Sequence, residues 1–223
     1  MQLRPGETNG SPGAPQAPVS RPDFGSHSGP EAPEAGSLRS ASWRLLARLF
    51  AAPPDAELLQ RLAACGRDGD ATPLGKTWNR LASAAEAADP AAVDDEFHAL
   101  FIGLGRGEVL PYASWYLSGY LLDKPLAKLR ADLAQLGIER DRDAGESEDH
   151  AAAVSETMAL LVDPGQGADS QTQQHFFERH VDSWMAHFLD DVLAARNADF
   201  YRRVARHAQA FLEFERRWLD LPA

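Results

Sequence analysis

The sequence predicts an all-α protein: a single globular domain of about nine or ten helices over residues 38–223, behind a disordered tail over 1–37. Three observations predict it. From Leu38 onward apolar residues recur at helical spacing. Proline, glycine and capping residues divide that pattern at intervals of one helix. No alternating strand of convincing length and no Asn-Gly hairpin interrupts it there.

The tail comes first. Residues 1–37 hold seven prolines, six glycines and five serines, with Phe24 the single aromatic. Such a segment buries too little apolar area to offset the entropy of ordering it. Trp43, Leu46, Ala47 and Phe50 then form one helix face, ended by Pro53-Pro54. Leu58, Leu59, Leu62 and Ala63 form the next, with Gly66 placed to close it. Thr72-Pro73 and Asp89-Pro90 each pair an N-cap with a proline at the first helical position. The first opens a face of Leu74, Trp78, Leu81 and Ala85, the second one of Val93, Phe97, Leu100 and Phe101.

Gly103, Gly105 and Gly107 break that helix, and a short aromatic segment follows over 111–121. Leu126, Leu129, Leu133 and Leu136 predict a helix closed by Gly137. Residues 139–149 are nearly all charged or small, which predicts an exposed loop, with Ser147 as cap for a helix carrying Val154, Met158 and Leu161. After a break at 164–168, Phe176, Phe177 and His180 share a face. Asp182-Ser183 restarts a helix with Trp184, Phe188 and Leu189, and a last helix spans 198–219.

Composition bounds the function. The 223 residues are 44% hydrophobic and 25% charged, with a net charge of -11. A surface this acidic repels phosphate backbones, so a nucleic-acid partner is not expected, whereas a cationic partner suits it. One cysteine, Cys65, allows no internal disulfide. No apolar run approaches the roughly 20 residues that span a bilayer, and the N-terminus lacks the apolar core of a secretory signal. The expectation is a soluble protein that stays in the cytoplasm.

Four groups of residues could carry chemistry. Gly103-Leu104-Gly105-Arg106-Gly107 could cradle a phosphate, but it lies between helices and lacks the lysine and hydroxyl of a P-loop, so a tight turn is the plainer reading. Glu146, Glu148, Asp149 and His150 could orient a general base or hold a metal, yet no nucleophile or further ligand stands nearby. A recognition loop and a charged helix entry both remain open for them. His175, His180 and His187, with Asp191, read as packing or surface residues rather than a metal face. The run Pro111-Tyr112-Ala113-Ser114-Trp115-Tyr116 is either core or the wall of a binding groove.

Taken in order, these stretches resemble the TorD/DmsD family of redox-enzyme maturation chaperones, relatives of the nitrate reductase assembly factors. The family pattern places an acidic and an aromatic residue before Leu-Phe-x-Gly, then Pro-Tyr-x-Ser-x-Tyr, then a Glu-Pro-x-Asp-His loop. Here these are Glu96-Phe97, Leu100-Phe101-Ile102-Gly103, Pro111 to Tyr116, and Glu146-Ser147-Glu148-Asp149-His150. Phe176 to His180 with Trp184 and Phe188 resembles the family's C-terminal motif. Ser147, Ser183 and Leu104 replace family prolines, and the first of these leaves the Glu146–His150 loop less rigid.

The resemblance implies a TorD-like helical chaperone with no catalytic residues, no metal and no cofactor. Its partner would be the twin-arginine signal peptide, or the apo-form, of a molybdenum or tungsten oxidoreductase, held until cofactor insertion and export. The resemblance assigns Leu100, Phe101, Tyr112 and Tyr116 to an apolar groove, Ser114 to a hydrogen bond with the peptide backbone, and Glu148, Asp149 and His150 to the polar end. Pro111 to Ser114 and Lys124-Pro125-Leu126 most resemble members serving formate dehydrogenases. Either a monomer or a homodimer fits. Two alternatives stand beside this: a weak guanine-nucleotide-binding or hydrolysing protein using the glycine turn and His150, and a helical scaffold without a groove.

Overall fold

The computed structural model describes residues 3–5, 35–65, 71–103, 107–141, 145–165 and 167–221. Most of the expected tail, Gly66, Gly105 and residues 142–144 lie outside them. The all-α expectation holds. Among the described residues there are ten α-helices: α1 (Ala35–Ala51), α2 (Ala56–Ala64), α3 (Pro73–Ala87), α4 (Pro90–Phe97), α5 (Ala113–Ser118), α6 (Lys124–Gln135), α7 (Ala151–Leu161), α8 (Ser170–Phe177), α9 (Met185–Ala194) and α10 (Phe200–Leu219).

The helix starts follow local chemistry. Thr72 accepts the N–H of Gly75 at 3.0 Å, and Asp89 that of Ala91 at 3.4 Å, each ahead of a proline in the first turn. Asp55 and Asp169 cap α2 and α8 in the same way. Gly137, at φ 66°, follows the end of α6.

Helix α7 lies at the centre, with Ala151, Ala152, Ala153, Val154, Ser155, Thr157, Met158 and Ala159 all buried. Its alanines let α1 pack along its length. Helix α10 buries Tyr201, Val204, Ala205, Ala208, Phe211 and Leu212, and packs on α1, α3, α4, α8 and α9. Edge-to-face aromatic pairs knit these layers: Trp43–Phe211 at 5.0 Å, Phe50–Phe188 at 5.1 Å and Phe101–Tyr201 at 5.2 Å. One ion pair crosses the core. Arg39 on α1 donates to both carboxylate oxygens of Glu215 on α10, at 2.8 and 2.9 Å, and to Gln173 on α8 at 3.0 Å.

Three features depart from the sequence reading. The helices running through 97–102 and 177–182 widen into π-helical turns, His98–Ile102 and Glu178–Asp182. Gly103 accordingly donates its N–H to His98 O, five residues back, at 2.7 Å. Two short strands also pair antiparallel: β1 (Leu3–Pro5), inside the segment expected to be disordered, and β2 (Ile138–Arg140), with Arg4 opposite Glu139. The cap of α7 is His150 rather than Ser147.

Candidate functional site

The stretch from α4 to the start of α7 carries all eight expected site residues. After the π-turn, the chain returns so that Glu108 and Val109 donate their N–H groups to Ala99 O and Leu100 O, at 3.3 and 2.8 Å. This closes the carbonyls that the helix end leaves open. Gly107 makes the return feasible, since a Cβ there would lie 2.5 Å from Leu100 O. Gly107 packs against the backbone of the π-turn.

Glu96 and Glu108 then reach across to the α9–α10 junction. Glu96 accepts the N–H groups of Asp199, Phe200 and Tyr201 at 2.7–2.9 Å, which caps α10 from another part of the chain. Glu108 accepts those of Arg196 and Asn197, and these bonds hold its carboxyl below the usual range.

The acidic-histidine loop closes on the aromatic run. Tyr112 and His150 form an antiparallel bridge, with Ala113 N–H to Asp149 O at 2.9 Å and Ala151 N–H to Pro111 O at 2.8 Å. Asp149, fully buried, accepts the N–H of Ser114 at 2.9 Å and the Ser147 hydroxyl at 2.5 Å. It therefore caps α5. His150 caps α7, its Nδ1 accepting the N–H of Ala152 at 3.1 Å, so the ring is a neutral Nε2–H tautomer. Burial lowers its pKa to about 4, against the opposing pull of the Glu146 and Asp149 carboxylates.

The eight expected site residues therefore separate. Leu100 is in the core, at 0% exposure. Asp149 and His150 are buried helix caps. Ser114 is buried and its hydroxyl accepts the N–H of Leu122 at 3.1 Å. Glu148 is buried beside Arg130, which donates to both its oxygens at 3.0 and 2.8 Å. Tyr116 stacks on Trp184 and donates to Asp191 at 2.8 Å. Only Phe101 and Tyr112 line a cleft, of about 680 Å³.

That cleft is bounded by Phe101, Ile102, Leu110, Tyr112, Trp115, Leu121 and Leu122, with Arg130, Glu146 and Ser147 at its polar side. Ile102, Leu121 and Leu122 are 52%, 47% and 69% exposed. With Leu117 and Tyr120 they make five of the eight exposed large hydrophobic residues among the described residues, so exposed apolar surface concentrates at and beside this cleft. Glu146 accepts the Tyr112 hydroxyl and has no cationic partner among the described residues. Burial and that contact raise the Tyr112 pKa, keeping the phenol protonated. Sequence reasoning named Glu146, Ile102 and Trp115 only as parts of their motifs, and passed over Leu121 and Leu122.

His180 is held against Asp132, Nε2 to Oδ2 at 2.6 Å, and His175 lines a separate polar cavity with Asp132 and Asp169. No group of three metal-ligating side chains converges among the described residues. Nor does any described helix have the length and apolarity to cross a membrane.

A family model described as nitrate reductase delta subunit matches residues 67–190, a span holding the cleft, the clasp formed by Tyr112 and His150, and the core of α7. The chain belongs to this family. Its relatives include the chaperone protein TorD of Vibrio cholerae, 30% identical over 156 residues, which are 66% of this chain and 70% of that protein. TorD of Shewanella loihica is 25% identical over 202 residues, covering 81% and 92%. A solved structure described as a redox enzyme maturation protein from Archaeoglobus fulgidus superposes with a TM-score of 0.53 at 18% identity, over 83% of this chain and 96% of that one. The fold is thus that of the redox enzyme maturation proteins, and the sequence is that of a TorD-family chaperone.

Proposed function

We propose that this TorD-family protein is a cytoplasmic, non-enzymatic chaperone that holds the twin-arginine signal peptide of a molybdenum or tungsten oxidoreductase. The observation that carries this is the cleft: apolar walls from Phe101, Tyr112 and Trp115, next to a Glu146 carboxylate with no cationic partner among the described residues. A twin-arginine signal offers the matching chemistry, two guanidinium groups followed by an apolar stretch. The apolar stretch lies in the cleft as a helix in a groove, and an arginine pairs with Glu146. The net charge of -11 favours encounter with a cationic peptide.

Two names printed for relatives, chaperone protein TorD and redox enzyme maturation protein, support a redox-enzyme client. The stretches Pro111 to Ser114 and Lys124 to Leu126 point to a formate dehydrogenase among such clients. Calorimetric titration of the purified protein with twin-arginine peptides from its own host's molybdenum-enzyme precursors tests the reading. Saturable binding is expected, weakened when both arginines are replaced by glutamine. Absence of binding to every such peptide and to the full-length precursors would end it.

A further inference from the structure

The turn between α5 and α6, Gly119 to Asp123, holds an unusual backbone. Leu122 has φ 59°, and no other non-glycine residue among the described residues has a positive φ. A branched apolar side chain is poorly suited to that left-handed region, which glycine or asparagine occupies at little cost. Nothing in the core compensates for it, because the Leu122 side chain is not buried: the residue is 69% exposed, beside Leu121 at 47% and Tyr120 at 73%. Exposing three large apolar residues in a row, one of them strained, does not stabilise a folded chain.

The turn is nevertheless pinned. Gly119, at φ 79°, donates its N–H to Trp115 O at 2.9 Å and so ends α5. The Leu122 N–H is held by the Ser114 hydroxyl at 3.1 Å, and Ser114 is itself fully buried with its own N–H on Asp149. Asp123 O accepts the N–H of Leu126 at 2.9 Å in the first turn of α6. The same buried serine and aspartate that start α5 therefore hold the turn that carries Leu121 and Leu122, and both residues line the cleft together with Tyr112 and Glu146.

We propose that the Tyr120–Leu122 turn is a pre-set recognition element that grips the apolar stretch of the client signal peptide, a role that rests on the peptide-binding reading above. Its occupant is specified by the chemistry of the cleft lining. Glu146 at the polar side takes a cationic group, and the turn takes the apolar side chains one or two helical turns further along. Holding the turn in its bound shape removes an ordering cost at binding.

The experiment pairs two proteins with two peptides, read by calorimetry. The proteins are the full chain and Leu122→Asn, which tolerates the left-handed backbone; Leu122→Gly serves as the second variant. The peptides are a twin-arginine signal and the same signal with the leucines of its apolar stretch changed to serine. The variants should keep or raise the thermal midpoint while binding the natural peptide about tenfold more weakly, the scale of losing one large apolar contact. Against the serine peptide, the wild-type and variant affinities should coincide, because the contact is already gone. Equal binding of the natural peptide by wild type and both variants would overturn the role of the turn while leaving the peptide-binding reading intact. An equal loss against both peptides would also overturn it. No binding by the wild type at all would remove the reading and this inference together.

Discussion

The carboxylate of Asp149 accepts the N–H of Ser114 across 35 residues of sequence, at 2.9 Å and out of contact with solvent. An acidic loop residue thereby takes up a first-turn N–H of a helix it does not belong to. Its neighbour His150 caps the following helix, α7. The Asp-His pair is a clasp between two helix starts.

Asp149→Ala should accordingly unfold rather than selectively unbind. Loss of the cap and of a partner for a buried N–H costs about 3 kcal/mol together. Asp149→Asn, which keeps one carbonyl oxygen for Ser114, should cost about 1 kcal/mol. Urea denaturation measures both. Equal stability of Asp149→Ala and wild type would show that the clasp carries no weight.

Glu146→Gln should separate binding from stability. The amide oxygen still accepts the Tyr112 hydroxyl, so the denaturation midpoint should stay within about 0.5 kcal/mol of wild type. Affinity for a twin-arginine peptide should fall about tenfold, with a flatter dependence on salt. An unchanged salt dependence would place the arginine contact elsewhere.

Two buried histidines set an acid limit on stability. Burial lowers both His150 and His207 from 6.5 to about 4. Each is neutral in the folded protein and more readily protonated in the unfolded chain. Their contribution is complete above pH 6.5 and is lost as pH falls from 6.5 towards 4, on the order of 3 kcal/mol each. The His207 ring shares a hydrogen bond with the Thr77 hydroxyl at 3.3 Å and packs on Trp78, so His207→Gln can keep that contact without the charge change. The variant should lose less stability than wild type between pH 7 and 4.5; an identical pH profile would show that His207 does not titrate in this way.

Glu215→Ala should be among the most damaging single changes. It leaves the Arg39 guanidinium buried with Gln173 and the Trp218 face as its remaining contacts. Removing one partner of a buried pair costs about 3–5 kcal/mol. Replacing Arg39 with methionine and Glu215 with leucine together should recover most of that loss, which a double-mutant cycle by chemical denaturation measures.

The helical frame was legible because its signals are local. Thr72-Pro73 and Asp89-Pro90 announce their helices, and the faces of α1, α3 and α10 follow from apolar spacing alone. The site was less legible because its contacts are not local. Glu148 and Asp149 look like exposed loop charges until the chain brings Arg130 and the start of α5 against them. Leu100 and Phe101 sit side by side in sequence and are both buried in the core, yet of the two only Phe101 also lines the cleft. The left-handed backbone at Leu122 had no signal, since leucine is not a residue that marks such turns.

The Arg39–Glu215 pair joins residues 176 positions apart. On a ribosome adding about 5–20 residues per second, Arg39 is exposed for roughly ten seconds or more before its carboxylate is made. Until then α1 cannot settle on α7 without burying an uncompensated cation. The first long helix to be synthesised thus waits for the last, and closure of the fold is tied to completion of α10.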